Sequence, residues 1–182
     1  MHAAALAEAT DVFWRLGYEA TGVQDLLDAM AINRASMYDT FGCKHELFLE
    51  AMRHYGAQFD EHLAATLDAD GSPIENLRAL FRGMEDKLYG DHEGCKGCLI
   101  TNTAIELAHR DEAVASELKA QFGRLEHAFG RLLKRAATVG EIPADAPVKR
   151  HSAFLVAVMH GIVVTAKAGS SRAAARHVVD LA

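Results

Sequence analysis

The stretch 21–55, TGVQDLLDAMAINRASMYDTFGCKHELFLEAMRHY, decides how this chain folds. Val23 to Met30 has the apolar spacing of a short helix. Ahead of it, Thr21-Gly22-Val23-Gln24 fits a capping box, in which the Thr hydroxyl bonds the Gln amide N–H and the Gln side chain reaches back. Asn33 is a good N-cap for a further short helix running through Tyr38 to about Phe41. Two short helices with two or three residues between them have the spacing of a helix-turn-helix. After Gly42, the apolar positions Leu47, Phe48, Ala51, Tyr55, Phe59, Leu63 and Leu67 mark a long helix.

Outward from this stretch the chain stays helical. Leu6, Ala9, Phe13 and Leu16 line one face of a first helix that Gly17 stops. Ser72-Pro73-Ile74-Glu75 is a second capping box with Pro at the first helical position, and Ile74, Leu77, Leu80, Phe81, Met84 and Leu88 continue that helix. A glycine-rich loop from Gly90 to Gly97 leads into a helix over roughly Cys98–His109. Val114 to Ala136 defines a long helix ending at Gly140. From Ala153 to Ala168 the apolar residues run almost all round the helix, which then needs partners on every side: its own core on one face and a second subunit on the other. Residues 170–182 read as a last helix. The reading is all-α, about nine helices, without a run of period-2 alternation. A three-helix domain at 1–45 precedes a larger helical domain at 46–182.

Composition bounds the function. The 182 residues carry 19 Lys+Arg against 25 Asp+Glu, a formal net charge of -6, with 50% hydrophobic residues. This is an ordinary soluble globular composition. No apolar run reaches the ~18–20 residues of a membrane span. Three cysteines are too few for a disulfide scaffold, which fits a reducing, cytoplasmic setting. The first 60 residues hold Arg15, Arg34, Lys44 and Arg53 against nine acids, a net of -5, so the helix-turn-helix is the more acidic part. Its few cations are focused, however. Arg34 begins the third helix and Lys44 the fourth, with Ala35, Ser36, Tyr38 and Thr40 between them. Helix starts present free N–H groups and positive dipole ends that suit phosphate. An Arg, a Lys and a Tyr hydroxyl around a short exposed helix make a clamp for a nucleic-acid backbone.

On these residues the chain resembles the DNA-binding domain of tetracycline-repressor-type (TetR) transcriptional regulators. The match lies in the helix spacing, the capping Thr, the pair Tyr38 and Phe41, and the Lys-x-x-Leu-Phe start of the fourth helix. GCLITNTAIELAHRDE at 97–112 also resembles the ligand-domain sequence of one branch of that family. The resemblance implies that the third helix enters the major groove. Arg34, Ala35, Ser36, Tyr38 and Thr40 would face DNA from it, Thr21 and Gln24 from the second helix, and Lys44 from the start of the fourth. Ala31 stands where the family usually has Gly in the turn, and Ala is less tolerant of a left-handed conformation.

Cys95-Lys96-Gly97-Cys98 is the second signal. His92, Cys95 and Cys98, with His109 as a fourth, would give zinc a ligand set, but a second Cys pair is missing and no metal is expected. Lys96 and the helix start beneath Cys98 favour thiolate, which suits a redox or electrophile sensor. Asn102 and Glu106 lie four apart on one helical face. If they look inward with Phe81, Met84, Cys98, Phe122, Phe154, Met159 and His160, they form the polar corner of an apolar ligand site. No Ser/His/Asp group, phosphate-cradling loop or His-Glu metal helix is present, so neither an enzyme nor a cofactor is expected. The expectation is a homodimeric, ligand- or redox-responsive repressor that binds an operator duplex and dimerises through its eighth and ninth helices. The rivals are a thiol redox protein using Cys95/Cys98 and a helical interaction module that never touches DNA.

Overall fold

The computed structural model describes residues 2–90 and 95–181. Among them nine α-helices and no strand are found: α1 (His2–Leu16), α2 (Val23–Met30), α3 (Arg34–Phe41), α4 (Lys44–Leu67), α5 (Pro73–Tyr89), α6 (Leu99–Leu107), α7 (Glu112–Thr138), α8 (Val148–Lys167) and α9 (Arg172–Leu181). His92, the first member of the zinc spacing, lies outside the described residues.

The contacts divide the chain into two compact units. One comprises Met1–Gln58 with Cys98–Gln121, the other Phe59–Gly97 with Phe122–Ala182. Residues 46–58 and 98–121 therefore pack with 1–45, and both α4 and α7 continue from one unit into the other. In the first unit, Leu6, Ala9 and Phe13 of α1 are buried, as are Leu26 and Leu27 of α2, Met37 and Phe41 of α3, Leu47 and Phe48 of α4, and Leu99 and Leu107 of α6. Phe13 meets Phe48 edge-on with ring centroids 4.9 Å apart, and Tyr18 tilts against Phe48 at 4.8 Å. In the second unit, Leu63, Leu80, Phe81, Leu125, Phe129, Leu132, Leu155, Met159 and Ile162 form one apolar cluster, with Phe81 stacked on Phe129.

Of the three expected caps, that of Asn33 forms as read and that of Ser72 forms half of its box, because the Glu75 carboxylate pairs with Arg78 and Arg82 rather than reaching back. Asn33 accepts from the Ser36 N–H at 2.8 Å, and Ser72 accepts from the Glu75 N–H at 3.1 Å with Pro73 opening α5. The cap expected at Thr21 does not form. Thr21 is buried, and its hydroxyl donates to the Gly17 carbonyl at 2.5 Å. Gly22 takes the N-cap position of α2, and the Asp25 carboxylate accepts from its N–H at 2.7 Å. A carboxylate is the stronger acceptor, and it sits where the Gln side chain was expected to reach back.

Ala31 ends α2 with φ 53° and ψ 40°, the left-handed region. That conformation costs an L-residue roughly 1–2 kcal/mol. Ala31→Gly removes the strain but adds chain freedom to the unfolded state, worth about 0.4–1 kcal/mol in the opposite direction. The net expected gain is about 0.5–1 kcal/mol, read as a higher urea midpoint at unchanged slope.

Candidate nucleic-acid interface

Helix α3 is built as a presented element. Only Met37 and Phe41 turn inward, and both are buried. Arg34, Ala35, Tyr38 and Thr40 are exposed and Ser36 is half-buried, with Tyr38 at 43% exposure. An eight-residue helix that holds to its fold by two side chains leaves the rest of its surface for a partner. Gln24 is exposed on α2, its amide donating to Asp28 at 2.7 Å. Lys44, at the start of α4, lies with Nζ 4.3 Å from the Tyr18 ring centroid, a cation–π contact. Thr21 is the exception among the expected contacts: buried, with its proton already donated, it supports the turn between α1 and α2.

The α6–α7 corner is tied at three points to residues 1–58 of its own unit. The Glu106 carboxylate accepts from the backbone N–H of Tyr18 at 3.1 Å and of Glu19 at 2.8 Å. Gly17 makes this approach possible. It has φ +80°, and a Cβ there would stand 2.9 Å from Glu106 Oε2. His45 and Asp111 pair at 2.7 Å. Asp111 also caps α7 by accepting from the Val114 N–H, and that bond, ahead of the His45 contact, holds its carboxyl below the usual aspartate range. Arg53 pairs with Glu117 at 3.1 Å. Further along α4, burial pushes the Tyr55 phenol well above its ordinary range, and the neighbouring Cys98 thiol, hydrogen-bonded to it, adds to the effect.

This head matches the model of bacterial regulatory proteins of the tetR family over residues 5–51, and the tetracyclin repressor-like C-terminal domain matches over 73–181. The chain belongs to the TetR family. It is a DNA-binding transcriptional regulator. Over 140 residues it is 39% identical to YezE, an uncharacterized HTH-type transcriptional regulator of Bacillus subtilis (strain 168), covering 77% of this chain and 72% of the relative. It is 27% identical over 168 residues to ComR, an HTH-type transcriptional repressor of Escherichia coli (strain K12), covering 92% and 80%. Among solved structures, a cysteine variant of the TetR-family regulator CifR, complexed with 26-base-pair operator DNA, superposes with a TM-score of 0.87 at 32% identity, over 98% of this chain and 92% of that one. The reduced form of Escherichia coli NemR shares the fold with a TM-score of 0.90 at 16% identity, over 98% and 92%.

The residues expected around a ligand in this TetR-family chain fall in both units. Cys98, Asn102 and Glu106 belong to the first; Phe81, Met84, Phe122, Phe154, Met159 and His160 belong to the second. Cys98 is half-buried at the N-cap of α6. Glu106 does not share a polar corner with Asn102, because two backbone amides of the head claim its carboxylate. Phe154 does not look inward. It is 50% exposed, since the core-facing positions of α8 are Leu155, Met159 and Ile162. Phe122 and His160 do meet, edge-on at 4.7 Å, and burial lowers the His160 pKa, which favours the neutral imidazole. Phe81 and Met159 are core, and Met84 packs half-buried against that core. Among the described residues no group of three His, Cys, Asp or Glu is placed to hold a metal ion, and no helix is long and apolar enough to cross a membrane.

Proposed function

We propose that this chain is a cytoplasmic, homodimeric repressor that acts by binding rather than catalysis, with residues 1–45 as the DNA-reading domain and 46–182 as the effector and dimerisation domain. The observation that carries the reading is the face of α3, where Arg34, Ala35, Tyr38 and Thr40 stand exposed while Met37 and Phe41 anchor the helix. Arg34, Ser36, Tyr38 and Thr40 contact the duplex from the major groove, with Gln24 and Lys44 flanking, and Thr21 holds the turn. The likeness to a regulator solved on its operator supports this assignment.

Release follows from an effector in the helical domain, or from modification of Cys98 or Cys95, that favours one packing of α6 and α7. Glu106 and Asp111 pass the change to the head. In a dimer the two α3 helices then lose the ~34 Å spacing of successive major grooves. A 100-fold release requires the effector to discriminate between the two states by about 2.8 kcal/mol.

The test is fluorescence anisotropy on a duplex selected by the protein, with excess random competitor. Arg34→Ala and Tyr38→Ala are expected to weaken binding by roughly tenfold each, since a good contact is worth about 1–3 kcal/mol. Thermal midpoints should stay at the wild-type value, because both side chains are exposed. Unchanged affinity in both variants would remove α3 from the interface.

A further inference from the structure

Helix α3 turns Met37 and Phe41 into the fold, and both are buried. At about 100° of rotation per residue, position 39 stands roughly 160° round the helix from each of them. Asp39 is therefore the side chain that projects most directly away from the protein, and it is exposed. Ala35 and Ser36, one turn earlier on the same outward side, are small. Tyr38 and Thr40 flank Asp39 on its two sides. Among the described residues Asp39 makes neither a hydrogen bond nor an ion pair. The other two acids of α2 and α3 are both engaged: Asp25 accepts from the Gly22 N–H at 2.7 Å, and Asp28 accepts from the Gln24 amide at 2.7 Å. A solvated surface aspartate needs no partner, but this one stands at the centre of the face that meets DNA. An acid there opposes attraction to phosphate. It favours a duplex only where the groove offers it a hydrogen-bond donor.

We propose that Asp39 is a base-reading residue that accepts a hydrogen bond from the amino group of a cytosine in the major groove. The proposal rests on the reading of α3 as the helix that enters that groove. Position separates base from phosphate. On a helix lying in the groove, the flanking side chains meet the sugar–phosphate walls, and those on the outermost line meet the base edges of the floor. Tyr38 and Thr40, on the flanks, carry hydroxyls that can donate to phosphate, whereas a carboxylate only accepts. The small side chains of Ala35 and Ser36 let the short aspartate come within reach of the floor. Chemistry then separates cytosine from the other bases. Guanine shows only acceptors in the major groove, and thymine shows an acceptor beside a methyl group. Adenine shows its amino donor beside the N7 acceptor, a pair that an amide side chain matches and a carboxylate does not. Cytosine shows a donor alone.

The experiment selects duplexes from a random-sequence pool with the full chain and with Asp39→Ala and Asp39→Asn, and measures affinities by anisotropy. Both variants are expected to melt at the wild-type temperature, because the side chain is exposed and holds nothing in the fold. Wild type should enrich cytosine at one position in each half-site. Exchanging that C·G pair in one half-site should weaken its binding by about tenfold. For Asp39→Ala the same exchange should change affinity by less than about twofold, with the other enriched positions kept. Asp39→Asn should move the preference at that position from cytosine to adenine, since a carboxamide pairs with N6 and N7 together. An Asp39→Ala pool that matches the wild-type pool at every position would overturn the proposal. So would tighter binding of Asp39→Ala to selected and random duplexes alike, which is the behaviour of a carboxylate facing phosphate. A wild-type pool without any enriched sequence would instead overturn the reading of α3 as a groove-entering helix, and the cytosine contact with it.

Discussion

Replacing Phe154 and Val164 together by aspartate is expected to turn the protein into a monomer that binds its operator at least ~100-fold more weakly. These residues are 50% and 40% exposed on α8, and Val178 and Leu181 are exposed on α9, which packs against α8. Between them Ala157 and Gly161 are small and exposed, so positions 154, 157, 161 and 164 make an apolar face with a low profile. The opposite face of α8 is committed to its own core through Leu155, Met159, Ile162 and Val163. A two-fold dimer uses such a face twice, each residue contributing to both halves. Burying a large apolar side chain is worth about 1.5–3 kcal/mol, and an unpaired aspartate in its place reverses the sign. Loss of the second head then removes the effective concentration that doubles the contact with DNA, typically a factor of 10²–10⁴. Light scattering after size exclusion reads the mass, and anisotropy reads the affinity. A double variant that stays dimeric would place the subunit contact elsewhere.

The second large effect is expected at Glu106. Its carboxylate joins α6 to the turn after α1 through the backbone N–H groups of Tyr18 and Glu19. A hydrogen bond to a charged group is worth about 1.5–3 kcal/mol, less where water competes, as it does at the exposed Glu19. Glu106→Ala is therefore expected to cost about 2 kcal/mol and to lower the melting temperature by roughly 4–8 °C. The functional consequence separates this residue from an ordinary stabilising contact. With α6 no longer fastened to the head, the ratio of operator affinity without and with effector should narrow, while the effector binds as before. Glu106→Gln, which keeps one acceptor oxygen, should fall between. An Ala variant that is destabilised but retains the full ratio would leave Glu106 structural only.

Sequence reading found what local rules govern. Asn33 and Ser72 cap α3 and α5 because an N-cap and its partner N–H lie three residues apart, and nothing distant competes for them. The two-sided apolarity of α8 was legible as well, whereas the inward turn of Met37 and Phe41 on α3 appears only in the structure. Thr21 was misread although its neighbours were all in view: its hydroxyl had two acceptors or donors within four residues, and the outcome depended on Asp25 taking the cap. Glu106 was read as the polar corner of a ligand site beside Asn102, whereas its carboxylate goes to the Tyr18 and Glu19 amides, bonds that span 88 and 87 residues of sequence. Phe154 illustrates a further limit. On a helix apolar all round, periodicity does not say which aromatic faces the core and which awaits a second chain.

The central claim is that α3 reads a two-fold DNA site, and selection from a pool of random-sequence duplexes tests it most directly. The bound fraction is sequenced, and the complex is weighed in solution. The account expects a pseudo-palindrome whose half-sites are centred one or more helical turns apart, occupied in multiples of two chains, with enrichment lost in Arg34→Ala. A pool that emerges without enriched sequence, or a site without two-fold symmetry bound by a single chain, would contradict it.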